Sequence, residues 1–335
     1  MLVPITEITI TAEDGSRKWQ FDAVANGLIV EDTATLTDTC MIELPQKTIW
    51  QGATQDKNTP IGMGEKPLIK RGDKIVVRLG FDGLLKERFS GYIRSVGTKN
   101  PMMIECEDGM FMLKLATLKK KGFKSITLDA LIEKLLVGTK IKYKLIDKNI
   151  QLGSYRITQS TVAAELNELK KELGLMAFFR IYNGEQVLYV GFAYPFDSVN
   201  TQGFYYGNNI VDESFEYKRK EDLKVKVKAV SPQKNNTKIE IEVGDKDGET
   251  IDVKIFGLDK KALQKFAEDT LANAKYEGLR GSFQTFGEPL IHKTDKAYME
   301  CEDGNKGTYL IKKLEVLFGF GGYFQHVELG QIINK

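Results

Sequence analysis

Apolar residues recur at every second position through much of residues 1–110. Ile8 and Ile10 alternate with Thr9 and Thr11. Cys40, Ile42 and Leu44 alternate with Met41 and Glu43, and Ile75, Val77 and Leu79 with Val76 and Arg78. A period of two places one set of side chains on one sheet face, so these runs predict strands with a single buried face. Asp14-Gly15, Gly72-Asp73, Asp82-Gly83 and Asp108-Gly109 supply turns between them. The region reads as a small antiparallel barrel or sandwich. Pro45 to Leu68 has no sustained period and is rich in turn residues. A loop of about 20 residues is uncommon in a compact domain. It reads either as a mobile surface loop or as an assembly segment that orders against a neighbour, with Trp50 as its anchor.

Residues 111–205 change texture. Thr127 can cap a short helix, LDALIEKLL, that stops before Gly138. A second helix has Ser160 as its expected N-cap, a stripe of Val162, Leu166, Leu169 and Leu173, and Gly174 as its stop. Phe178 to Tyr182 and Val187 to Val190 then flank Asn183-Gly184, a hairpin turn signal. Strand pairs packed on helices make this an α+β insert.

Alternation returns in residues 206–335. Val225, Val227 and Ala229, then Ile239, Ile241 and Val243, then Ile251, Val253 and Ile255, each alternate with largely charged neighbours. They read as long antiparallel strands with one wet face, Gly244 to Gly248 forming the turn between two of them. A single helix interrupts, capped by Asp259, with Leu263, Phe266, Ala267, Leu271 and Ala274 at helical spacing. The expected fold is mainly β with an α+β insert: two small antiparallel β-barrel-like domains, at 1–110 and 206–335, plus a middle α+β domain at 111–205.

A faint repeat links the two β regions. Arg71-Gly72-Asp73-Lys74 precedes Phe89-Ser90-Gly91-Tyr92-Ile93, and Thr294-Asp295-Lys296 precedes Lys306-Gly307-Thr308-Tyr309-Leu310-Ile311. Both place an Asp-Lys turn before a strand and a Gly before an aromatic-bearing strand. The match reads either as the common look of hairpins or as two barrels of similar build.

Composition narrows the function. Of the 335 residues, 42% are hydrophobic and 28% charged, an ordinary globular mix. Lys+Arg 48 against Asp+Glu 46 leaves a formal charge of +2, so no global grip on nucleic acid or membrane is indicated. Between Lys114 and Lys148 ten lysines face three acids, a solvated face or a patch for an acidic partner, without the aromatic interleaving of a base-stacking surface. No apolar run of about 18 residues predicts a membrane span. The N-terminus lacks a basic segment followed by an apolar one, so no signal peptide is expected.

Catalytic and metal chemistry find little support. Cys40, Cys106 and Cys301 are widely spaced and read as buried reduced thiols. His292 and His326 are the two histidines, and neither sits in a metal-binding spacing. Phe318-Gly319-Phe320-Gly321-Gly322-Tyr323 lacks the Lys-Ser/Thr of a phosphate loop, and its glycines read as a bulge or bend. Glu105-Cys106-Glu107-Asp108 and Glu300-Cys301-Glu302-Asp303 each precede a Gly and read as hairpin ends. No catalytic residue, cofactor or metal site is expected.

The last stretch carries a resemblance. Gly281 to Pro289, with Gly287 and Pro289, leads into Asp295, then Gly307 and Tyr309, then Gly322-Tyr323 and Leu329-Gly330. This order resembles the C-terminal barrel of the phage late control protein D family. The Thr161-Val162-Ala163 helix start, Phe179-Arg180 and Leu188-Tyr189-Val190 are similar to its middle part. Gly72-Asp73 and Phe89-Ser90-Gly91-Tyr92-Ile93 are similar to its first barrel. Thr294 departs from the pattern, which has Gly before that Asp, and the Pro45–Leu68 loop has no counterpart. The hub part of type VI secretion spike proteins is also similar.

The resemblance implies a non-enzymatic baseplate hub of a contractile phage tail or tail-like particle, assembled in a bacterial cytoplasm. Three copies would form a ring joining the tail tube to a central spike. Its implied partners are itself as a homotrimer, a tail tube protein, other baseplate proteins and, since the chain stops at Lys335, a separate spike protein. Trp50, Phe318, Phe320 and Phe324 are the candidate assembly contacts. Rival expectations are a type VI-like hub component, a wall-degrading domain of the same particle, and a carbohydrate-binding β module.

Overall fold

The computed structural model describes residues 3–45, 47–48, 59–60, 68–146, 150–182, 185–191, 200–233, 237–255, 258–302 and 304–334. The N-terminal strands are β1 (Pro4–Thr11), β2 (Lys18–Phe21), β3 (Asn26–Asp32), β4 (Thr39–Leu44), a paired β5 (Lys47–Thr48) and β6 (Thr59–Pro60), β7 (Lys74–Phe81), β8 (Leu84–Val96) and β9 (Met102–Glu107). A short α1 (Met110–Leu115) leads to β10 (Lys121–Thr127), α2 (Leu128–Leu136), β11 (Lys142–Leu145), β12 (Gln151–Ile157), α3 (Val162–Leu173), β13 (Met176–Tyr182) and β14 (Glu185–Gly191). The C-terminal part holds β15 (Thr201–Tyr205), β16 (Ile210–Lys218), β17 (Val225–Pro232), β18 (Lys238–Gly244), β19 (Glu249–Lys254), α4 (Lys260–Ala274), β20 (Gly278–Phe286), β21 (Lys296–Glu300), β22 (Lys306–Gly319) and β23 (Gly322–Asn334).

The period-two pattern becomes burial where it was read. Ile75, Val77 and Leu79 are buried on β7 while Lys74 and Arg78 face water. The two β regions, however, are not closed off from each other. One path of hydrogen-bonded strands runs β16-β20-β23-β22-β3-β4-β9-β8-β7-β1-β2, with β21 and β15 branching from β22, as a thirteen-stranded sheet. The joint is β22 on β3, antiparallel from Lys313 opposite Asp32 to Gly319 opposite Asn26. It exists because β22 is long. Its first part pairs with β21 and its second part is left to pair with β3. Ile29, Ile42, Ile75 and Ile104 accordingly share one core with Phe283, Ile311, Leu314 and Val327.

Within that sheet one strand order occurs twice: β3-β4-β9-β8-β7-β1 in the N-terminal half and β16-β20-β23-β22-β21-β15 in the C-terminal half. The chain visits the corresponding strands in the same sequence. The halves differ at one pairing, since β1 is antiparallel to β7 while β15 is parallel to β21.

The middle segment has its own core of Leu131, Leu135, Leu166, Leu169, Leu188 and Val190. Thr127 caps α2 as expected, its hydroxyl accepting from the Ala130 N–H. Thr161 rather than Ser160 caps α3, and Gly174 ends it at φ 70°. Strands β13 and β14 are antiparallel partners, with Tyr182 opposite Glu185, while the Asn183-Gly184 turn lies outside the described residues.

One expectation for the C-terminal region needs correcting. Strands β17, β18 and β19 form a separate sheet of order β18-β17-β19 under α4, not part of the large one. β19 is parallel to β17. Gly244 to Gly248 is therefore no hairpin turn between neighbours but a crossing past the start of β17. The glycines are needed there: a Cβ on Gly244, at φ +105°, would lie 2.3 Å from the Val225 carbonyl oxygen. Asp259 caps α4, and Leu263 and Ala267 are fully buried against β17 and β18.

Candidate functional site

The two Asp turns are built alike. The Gly72 N–H donates to the Ile93 carbonyl at 2.9 Å and the Ile93 N–H to the Asp73 carbonyl at 2.9 Å. At the second turn the Thr294 N–H donates to the Ile311 carbonyl and the Ile311 N–H to the Asp295 carbonyl, both at 2.8 Å. Each Asp carboxylate closes its own turn, Asp73 accepting from the Lys70 N–H and Asp295 from the His292 N–H, both at 2.9 Å. Gly72 has φ +95° and Thr294 φ +72°. The departure at Thr294 thus leaves the turn intact, with a β-branched residue held in the left-handed region. The register corrects the sequence comparison by two residues: Ile93 matches Ile311, so Gly91 stands where Tyr309 stands, not where Gly307 does.

What holds Thr294 is a buried polar seam where the two halves and the middle segment meet. Its hydroxyl accepts from Arg180 of β13 at 2.7 Å, and the same guanidinium donates to the Lys293 carbonyl. Glu31 of β3 accepts from the Lys293 N–H and pairs with His292 Nδ1, both at 2.9 Å. Lys293 Nζ, fully enclosed, reaches Asp38 at 2.5 Å. Arg88 of β8 is 1% exposed and donates to the Ile291 carbonyl and, at 2.7 Å, to Gln325 Oε1. Gln325 in turn donates to the Phe286 and Pro289 carbonyls at 3.0 and 2.9 Å.

The charges are strongly biased by this enclosure. Burial would raise the Glu31 carboxyl, but His292, Arg88 and Arg180 outweigh it and hold Glu31 well below the usual carboxylate range. Asp38 and Asp295 are raised, burial exceeding the pull of Lys293 and of Arg180 respectively. Asp108 is pushed up to about 8 by burial and by the neighbouring charge of Asp38. Asp108 Oδ2 and Arg88 Nε have no hydrogen-bond partner among the described residues. Both residues line a cavity of about 40 Å³ with Glu31, Asp38, Arg180 and Gln186. Ligand pockets run to about 300–1,000 Å³, so this space does not fit an organic substrate. Among the described residues, no group of three or more His, Cys, Asp or Glu side chains is placed to hold a metal ion.

The remaining residues of the pattern are structural. Tyr323 occupies the space a Gly287 side chain would need, 2.1 Å from the position of its Cβ. It also stacks on Phe81 of the other half at 5.4 Å. Gly91 lets the Glu107 carbonyl approach, and Gly307 and Gly278 flank the Tyr309 ring. The Tyr309 hydroxyl accepts from the Leu279 N–H at 3.0 Å. Gly322, at φ +110°, turns the β22–β23 hairpin, Leu329 is buried and Gly330 accepts from the Tyr276 hydroxyl.

Of the candidate assembly contacts, Trp50 lies outside the described residues. Phe318 is corrected: it is 4% exposed, its ring filling the space over Gly27 inside the core. Phe320 is 84% exposed, and Phe324 is half-buried beside exposed Phe286, centroids 6.1 Å apart. Phe286, Phe324, Leu317, Leu28 and Met41 are successive cross-strand partners, an apolar row across β20, β23, β22, β3 and β4. Sequence reading missed this row and the seam, because only strand register brings their members together.

No protein-family model matches the sequence, and no curated protein matches it. Solved structures do. The tail protein from Neisseria meningitidis MC58 superposes with a TM-score of 0.64 at 15% identity, over 97% of this chain and 96% of its own. The 43 kDa tail protein of prophage MuSo2 from Shewanella oneidensis gives 0.62 at 14%, over 97% and 98%. An Escherichia coli protein described as a component of the type VI secretion system, with structural similarity to T4 bacteriophage tail proteins, gives 0.57 at 10%, over 93% and 74%. The chain shares its mainly β fold with these phage tail and type VI secretion proteins.

Proposed function

We propose that the chain is a structural baseplate hub of a contractile phage tail or tail-like particle, a trimeric ring that joins the tail tube to a central spike. The observation that carries this reading is end-to-end similarity to two tail proteins, one of them from a prophage, covering 97% of the chain in both cases. The duplicated strand order supports it. A chain with two halves of one build gives, in three copies, six similar faces toward a sixfold tube and three identical ones toward a threefold spike. Its partners in this reading are its own copies, a spike protein, the tube protein and neighbouring baseplate proteins.

The role is mechanical rather than catalytic. The buried charges are spent on fixing the angle between the halves, a use of buried ion pairs as specificity devices. Light scattering of the purified chain tests the ring. A mass near three times 37.8 kDa, with a central hole by electron microscopy, is the expected result. A single-chain mass at every concentration, alone and co-expressed with the particle's spike protein, would refute the ring.

A further inference from the structure

The duplicated strand order specifies more than a resemblance between halves. At the β8–β9 hairpin, Ile93 faces Cys106 and Ser95 faces Glu105, with Arg94 bulged between them. At β22–β23, Ile311 faces Leu329 and Lys313 faces Glu328, with Lys312 bulged between them. The bulged base bonds the corresponding acid both times, Arg94 to Glu105 and Lys312 to Glu328, each at 2.5 Å. This fixes the correspondence residue by residue. Ser95 stands for Lys313, and Val96 for Leu314.

The same procedure aligns the outer strands. Met41, opposite Glu105, stands for Ser282, opposite Glu328. Cys40 then stands for Gly281, and through them Ile29 of β3 stands for Phe215 of β16. Asp32 consequently stands for Lys218, and Glu31 for Tyr217. Both Ile29 and Phe215 point into the shared core, as the alignment requires.

Within the chain, β22 beyond Leu310 pairs with β3. The counterpart of β3 is β16, and among the described residues β16 pairs with β20 alone, leaving its other edge open. The counterpart of that part of β22 is β8 beyond Tyr92, and among the described residues it pairs with β9 alone. The chain therefore carries one joint filled and the two sides of a second joint unfilled. An open edge bearing Val211 and Tyr217, 47% and 40% exposed, is a pairing hazard unless something covers it.

We propose that the open edge of β16 pairs antiparallel with β8 of a second copy of this chain, Ser95 opposite Lys218, Val96 opposite Tyr217 and Gly97 opposite Glu216. This rests on the hub reading and names the surface through which its copies meet. Charge favours a second copy as the occupant. The edge carries three acids, Asp212, Glu213 and Glu216, to one base, Lys218, which pairs with Glu216 at 3.1 Å, and Tyr217 holds Glu277 at 2.9 Å. The facing turn presents Lys70 and Arg71, both exposed, where the filled joint has His292 and Lys293 against Glu31. The contact is head-to-tail, which closes into a ring when its rotation allows. The intermolecular ladder is the shorter one, because the β8–β9 hairpin turns back after Gly97, whose N–H donates to the Met103 carbonyl at 2.7 Å. The β22–β23 hairpin runs on to Gly319.

Disulfide trapping tests the register. The native thiols Cys40, Cys106 and Cys301 are buried, so the full chain can be used without removing them. With Ser95→Cys and Lys218→Cys together, mild oxidation should give covalent species at two and three times the chain mass, reversed by reductant. Either single variant, and the displaced pair Ser95→Cys with Ser214→Cys, should give none. Light scattering on the same samples separates the two levels of failure. A trimer that the first pair does not trap, or that the displaced pair traps as well, overturns this strand pairing and leaves the hub reading standing. A chain that remains single and is never trapped overturns both.

Discussion

The Asp73 and Asp295 turns share a backbone and differ in what surrounds it. The first uses glycine at its left-handed position, keeps Lys70 and Arg71 in water, and is closed by its own buried carboxylate, which also accepts from the Glu13 N–H. The second places Thr294 there and buries Lys293 to Asp295, with His292 half-buried beside them, among Glu31, Asp38 and Arg180. A left-handed residue with a Cβ costs about 1–2 kcal/mol. The C-terminal turn tolerates it because the seam fixes Thr294 from outside. A turn that folds by its own sequence can sit on a surface, whereas one that depends on distant residues makes the joint between halves part of its stability.

The largest expected effect separates the turns by their dependence on that joint. Glu31→Ala leaves the Lys293 N–H, His292 and Arg180 facing an emptied buried site. Removing one member of a buried charge cluster costs about 3–5 kcal/mol. Asp73→Ala removes an acceptor of two backbone N–H groups, from Glu13 at 3.1 Å and Lys70 at 2.9 Å. Its loss should cost less, about 1–3 kcal/mol, because the freed donors lie near solvent. Urea unfolding of both variants checks the order, and equal losses would mean that the seam does not bear on the joint.

Little of that seam was legible in the sequence. Strands were, because burial of one sheet face writes a period of two wherever it occurs. Neighbours were not: the same period in Val225 to Ile255 gave no sign that β17 lies between β18 and β19, or that one pair is parallel. Residue type also misled. Gly91 and Gly307 look equivalent but lie two positions apart in the hydrogen-bond register. Glu105 to Gly109 and Glu300 to Gly304 read alike but end β9 and β21, which do not correspond. The seam draws on Glu31, Asp38, Arg88, Asp108, Arg180 and Lys293, charged residues that read singly as surface positions. Their burial follows only from the β22–β3 joint. Arg180 was marked in advance by resemblance alone, and its role is visible only beside Thr294.

The seam should also give the protein its pH dependence. Asp108 titrates near 8 when folded, against about 3.9 for an unperturbed Asp. Between those values the unfolded chain binds fewer protons than the native one at this site, so stability falls as pH rises. The Asp108 contribution is whole below about pH 4 and lost as pH passes 8. Glu31 acts in the opposite sense: its carboxyl is lowered, so its stabilisation is present above its unfolded value and fades in acid. Asp108→Asn should lessen the decline between about pH 4 and 8, to which the raised Asp38 and Asp295 also contribute, and leave the acid limb unchanged. Thermal midpoints across pH would show this, and an unaltered profile would place the titration elsewhere.

Exchanging the left-handed residues gives a smaller effect with a sign of its own. Gly72→Thr should cost about 1–2 kcal/mol, since no side chain there is placed to hold the threonine hydroxyl as Arg180 holds that of Thr294. Thr294→Gly relieves a similar strain but loses the hydroxyl that accepts from Arg180, a charged hydrogen bond of about 1.5–3 kcal/mol. The two nearly cancel. Denaturant midpoints should therefore move down clearly for the first variant and little for the second. Equal shifts would show that the two turns are constrained alike.

The smallest effect on stability is expected at the tip of the β22–β23 hairpin, where the halves differ most. The β8–β9 hairpin turns back soon after Gly97, while its counterpart continues and exposes Phe320 at 84%. Two residues earlier, Phe318 packs over Gly27 and belongs to the core. Surface substitutions away from such packing usually lie within about ±0.5 kcal/mol. Phe320→Ser should therefore leave the unfolding midpoint in place. A single exposed aromatic is ordinary on a surface, so a role between copies would come from the hairpin's extra length. If the extended hairpin reaches a neighbour in the ring, the same variant should dissociate at higher protein concentration than the parent chain when followed by light scattering on dilution. Unchanged stability with unchanged association would assign the hairpin's extra length to the β3 joint alone, leaving its tip without a role between copies.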